Sequence, residues 1–157
     1  MAEITEAEFK ELTKSAELYD CSTEAPVPCS LKLSLYAGIY EEGHPSNRII
    51  NVNKPWDTRV WWSLSGSLRE SLCGYWCVAA HFESIGVGAE FNLDIPHFKF
   101  DCHHYHWSVV IPGKGIKPDD CTSPYEVIAT VSYRNLCDKP GPIVGFCRLP
   151  PVQFFVA

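Results

Sequence analysis

From Leu31 to the C-terminus, apolar residues recur at every second position, and no other feature constrains the chain as strongly. Successive side chains of a strand point to opposite faces, so such alternation sets one face of each run against a core. Leu31, Leu33 and Leu35 alternate with Lys32, Ser34 and Tyr36, and Val60, Trp62 and Leu64 alternate with Arg59, Trp61 and Ser63. Trp76, Val78, Ala80 and Phe82 share one parity, while Cys73, Tyr75, Cys77, Ala79 and His81 share the other. Tyr105, Trp107, Val109 and Ile111 repeat the pattern, as do Tyr125, Val127, Ala129, Val131 and Tyr133. A final apolar strand lies in Ile143–Val156, interrupted by Pro150-Pro151, and weaker strands are expected at Arg48–Val52 and His97–Cys102. Turn signals separate the runs at Glu42-Gly43-His44-Pro45, Gly86-Val87-Gly88, Pro112-Gly113-Lys114-Gly115 and Lys139-Pro140-Gly141-Pro142. The predicted fold class is all-β: an antiparallel two-sheet β-sandwich of immunoglobulin-like architecture with about seven or eight strands.

The first residues carry a different period. Thr5-Glu6-Ala7-Glu8 fits a capping box, and Phe9, Leu12 and Ala16 follow at helical spacing. The expected organisation is an amphipathic helix within residues 1–20, a linker over 21–30 (CSTEAPVPCS) and a β-sandwich domain over 31–157. A helix this short is marginal alone, so it must dock on the body or on a partner.

Length and charge then exclude whole classes. The 157 residues suit one domain, and 46% apolar with 20% charged residues is a globular composition. With 13 basic and 19 acidic side chains the net charge is −6, which lacks the basic stripe of a nucleic-acid binder. No apolar run approaches the roughly 18 residues of a membrane span. MAEITEAEFK is acidic and resembles no secretory signal, so a cytoplasmic protein is expected.

All eight cysteines are accordingly expected to be reduced. Cys73 and Cys77 have CxxxC spacing, but on a strand their Cα atoms stand about 13 Å apart, too far to share one tetrahedral ion. Asp101-Cys102-His103-His104-Tyr105-His106-Trp107 offers a better metal site. His104 and His106 share a face about 6.6 Å apart, a span that two imidazoles can close on zinc or another transition metal. Cys102 would join them only through a bulge, and His81 or His97 could supply a third ligand from another strand.

Catalytic motifs are missing: there is no GxSxG elbow, no HExxH and no GxxxxGK loop. Cys102 or the histidines could serve a hydrolase, but spacing alone gives that reading little. Trp61, Tyr75, Cys73 and Cys77 put apolar groups on the face opposite the core, so their strands read as apolar on both sides. Something should cover them, such as the Phe9/Leu12 stripe of the head or another subunit. The sequence therefore points to a non-catalytic module that needs no cofactor and works through a protein partner or a homo-oligomer. A metal-binding protein and a hydrolase are its rivals.

Overall fold

The structure, a computed structural model, describes residues 19–24, 32–46, 48–66, 72–100, 104–116, 121 and 123–157. Among these, ten strands form: β1 (Tyr19–Glu24), β2 (Lys32–Glu41), β3 (His44–Pro45), β4 (Ile49–Asn51), β5 (Trp56–Ser65), β6 (Gly74–Ser84), β7 (Phe91–Phe100), β8 (His106–Pro112), β9 (Tyr125–Asn135) and β10 (Pro140–Phe155). Sheet A runs β1-β2-β5-β8, with β3 added on β2, and sheet B runs β4-β10-β9-β6-β7 and curls into a half-barrel. Every pairing is antiparallel except β4 on β10, which is parallel.

Local chemistry explains the hairpins. Tyr40 faces Pro45 and Glu41 faces His44, which leaves Glu42-Gly43 as a two-residue loop. Both have positive φ, 50° and 82°, as a type I′ turn demands, and glycine meets the second at no steric cost. In β10 the run of two prolines does not end the strand. The register shifts between Leu149 and Val152, and this irregularity absorbs two residues that have no N–H to donate.

The alternating residues form one core shared by both sheets. Trp62 from sheet A and Trp76 from sheet B meet edge to face with ring centroids 6.0 Å apart. Trp107 stacks on Trp62 at 6.2 Å, and Phe100 stacks on Trp76 at 5.0 Å. Phe82, Phe91, Tyr125 and Phe154 continue the aromatic core in sheet B.

Several expectations change. The linker expected from Cys21 opens instead as β1, whose backbone pairs with β2 from Tyr19 to Glu24. The expected helix, with Phe9 and Leu12, lies outside the described residues apart from its last residues. The turn signal at Pro112–Gly115 marks the start of a crossing between sheets, because β8 belongs to sheet A and β9 to sheet B. The same crossing separates β5 from β6. Trp61 and Tyr75 thus stand on outward faces of different sheets and do not form one two-sided pair.

Candidate functional site

The two outward faces differ in kind. On sheet A, Tyr36 faces Trp61, which faces Ser108, and all three are buried although they point away from the core. Tyr40 meets Trp61 edge to face at 5.9 Å. Arg59 lies over the Tyr40 ring at 4.3 Å and donates from Nε to Asp57 Oδ1 at 2.9 Å. The guanidinium is thus held by a ring and a carboxylate together.

On sheet B the outward face is open. Phe146 stands opposite Thr130, Thr130 opposite Ala79 and Ala79 opposite Asp94. The neighbouring rows are Arg148, Ile128, His81 and Asn92 on one side, and Val144, Ser132 and Cys77 on the other. Val144 is 60% exposed and Phe146 69%. These are large values for apolar side chains projecting side by side from one strand. Charges sit at the margins of this face. Arg148 pairs with Glu126 at 2.9 Å, Arg134 Nε donates to Asp138 Oδ1 at 2.7 Å, and Asp94 and Lys99 lie on edge strand β7. The hydrogen bond from Arg134 holds the Asp138 carboxyl below its ordinary range. The pair therefore holds above the carboxylate range and is lost as pH falls through that lowered value.

Three side chains near the centre carry potential chemistry. Cys77 lies where Pro96 and His97 bulge out of the β6–β7 ladder, between the pairs Trp76/Phe98 and Val78/Ile95. Its thiol donates to the Pro96 carbonyl at 2.8 Å, and burial, the largest cause, raises its pKa. At neutral pH it stays a thiol, the wrong form for a nucleophile or a metal ligand. His81 links Asn92 Oδ1 at 2.8 Å to Thr130 Oγ1 at 3.2 Å. The order orienter, base, hydroxyl resembles that of a catalytic triad. It lies, however, in mid-sheet, where the ladders of β6 and β9 use the backbone N–H groups that an oxyanion would need. The network accordingly orients side chains and lacks the second half of a catalytic centre.

Other sequence candidates separate. His106 stands opposite Ser63 on sheet A, with its ring 5.1 Å from that of Tyr105, and His104 is exposed just ahead of the strand. His81 and His97 belong to sheet B, and His106 to sheet A. Cys102 lies outside the described residues. Among the described residues, no group of three His, Cys, Asp or Glu side chains is placed to hold a metal ion. Cys73 is disulfide-bonded, which corrects the expectation of eight thiols and removes it as a free surface group. Sequence reasoning missed Val144 and Phe146 because the whole of Ile143–Val156 reads as apolar. Their even parity, opposite to Ile143, Cys147 and Leu149, was the available signal.

The bridge has a direct consequence. Cys77, Cys121, Cys137 and Cys147 are thiols outside any disulfide. Alkylation of the unfolded, unreduced chain should find at least four thiols and no more than six, rising to eight after reduction. Eight before reduction would rule the bridge out. Exposed Cys137 should react first in the folded protein and buried Cys147 last.

Compared with protein-family models, with curated proteins and with solved structures, the chain gives no match. No helix among the described residues is long and apolar enough to cross a membrane.

Proposed function

We propose that the protein is a non-catalytic β module that works by protein contact, and that the outward face of sheet B binds a second copy of this chain. The carrying observation is the exposed pair Val144 and Phe146 on β10. Beside it, on the adjoining strands β9 and β6, lie half-buried small or apolar groups, Ala79, Thr130 and Ile128, with charges toward the margin. An uncharged centre inside a polar rim is the anatomy of an interface. The rim also carries both signs, Arg148, Arg134 and Lys99 beside Glu126, Asp138 and Asp94, so a copy meets a copy without net repulsion.

Light scattering of the purified chain tests this reading. The expected mass is twice 17.7 kDa at micromolar concentration, falling to one chain in Phe146→Glu with the fold unchanged. A wild type that stays monomeric at high concentration would refute it.

Two finer readings belong with this one. The shared core and antiparallel strands support a sandwich of immunoglobulin-like architecture. The Cys73 bridge favours an oxidising compartment over the cytoplasm expected from the sequence, because disulfides persist where thiols are not kept reduced.

A further inference from the structure

We infer that the N-terminal head, residues 1–18, docks on the outward face of sheet A and covers Trp61. Tyr36, Tyr40 and Trp61 are only 8%, 8% and 4% exposed, yet they lie outside the core cluster and point away from sheet B. Every described strand belongs to one of the two sheets, so none lies over this face. Such a face left bare would show three large aromatic side chains to water.

The place where the head joins the body selects it as the cover. Tyr19 is the first residue of β1 and stands opposite Ala37, between Tyr36 and Gly38. The chain preceding it therefore leaves sheet A at the edge next to Tyr36 and Tyr40. Length agrees as well. A helix over residues 6–17 would be about 18 Å long, enough to cross four strands that span about 14 Å from axis to axis at their usual spacing. The stripe of Phe9, Leu12 and Ala16 supplies the apolar side, and Gly38, opposite Arg59, leaves a low place between Tyr36 and Tyr40 for a ring. The head closes this face, and sheet B keeps the open one.

The tryptophans make the test clean. All five are buried: Trp56 6%, Trp61 4%, Trp62 0%, Trp76 0% and Trp107 2%. Only Trp61 lies outside the core cluster, so lifting the head exposes one of the five. In the full chain, acrylamide should quench little of the fluorescence. In Phe9→Glu/Leu12→Glu it should quench about the share of a single tryptophan, and adding Trp61→Phe should abolish that gain. A double variant as resistant to quenching as the wild type would overturn the inference. Quenching of all five would report unfolding, and a second measurement then decides. A photo-crosslinking benzoylphenylalanine at Phe9 in the full chain should join to peptides from Lys32–Glu41 or Trp56–Ser65. Attachment to β9 or β10, attachment between chains, or no attachment would each overturn it. The readout is independent of whether sheet B pairs two copies, because the mass stays as it was.

Discussion

Trp76→Ala should cost about 3–5 kcal/mol of folding stability, the range for deleting a large buried aromatic side chain. Trp76 is fully buried and joins the two halves of the core. Its ring meets Trp62 at 6.0 Å and Trp107 at 5.4 Å from sheet A, and Phe100 at 5.0 Å and Tyr133 at 6.0 Å from sheet B. Removing it leaves a void between two sheets whose strands are held by their ladders and cannot close inward. A domain has only about 5–15 kcal/mol in total, so this one change takes a large share. Denaturant titration checks it. Trp76→Phe should be milder, partly because the indole Nε1 is buried without a hydrogen-bond partner and its loss removes an unsatisfied donor. A loss below about 1 kcal/mol in Trp76→Ala would mean that the sheets do not share one core.

Gly74→Ala should be damaging far beyond the size of one methyl. A Cβ at Gly74 would lie 2.2 Å from the Arg134 carbonyl oxygen and 3.1 Å from Tyr133 Cε2. The nearest atom is backbone of the paired strand, where Gly74 stands opposite Asn135, so it cannot swing away as a side-chain tip could. Tyr133 is fixed too, since its hydroxyl donates to the Cys73 carbonyl at 3.1 Å. Overpacking of this kind costs about 1–3 kcal/mol, and the upper end is expected here. Gly115→Ala is the control, because a Cβ there meets nothing within 4 Å. Thermal melts should show Gly115→Ala near the wild type and Gly74→Ala well below it. Equal melting points would show that the β6–β9 register is wrong at this end.

Comparison of strands shows what was readable without a structure. In β6 and β9 the buried residues are those of the expected parity, since Trp76 and Val78, and likewise Val127 and Ala129, alternate with half-buried neighbours. Strand β7 was foreseen only at its C-terminal end. Asn92, Asp94 and Pro96 interrupt its apolar pattern, as befits an edge strand with a bulge. β1 was hidden for a related reason. Tyr19–Glu24 is polar, and the acidic helical pattern before it suggested more helix and then a linker.

The candidate site was half legible. Tyr75 and Cys77 lie on the face opposite the core, as their parity in the sequence indicated. Trp61 was placed on the outward face of its strand, but the structure puts that face on the far side of the molecule from Tyr75. His81 could be singled out as a histidine, but not as the link between Asn92 on β7 and Thr130 on β9.

By itself, then, the sequence determined that the body is all-β and which side of most strands is buried. Both follow from a two-residue period that any short stretch displays, because the pleat turns each side chain opposite to its neighbour. The tertiary structure alone decided that β5 and β6 part into different sheets, that one outward face is covered while the other exposes Phe146, and that Cys73 is bridged. These depend on residues far apart in the chain. β2 pairs with β5 past β3 and β4, and β5 with β8 past two strands of the other sheet, and such partners are selected by the packing of whole faces, which no local pattern encodes.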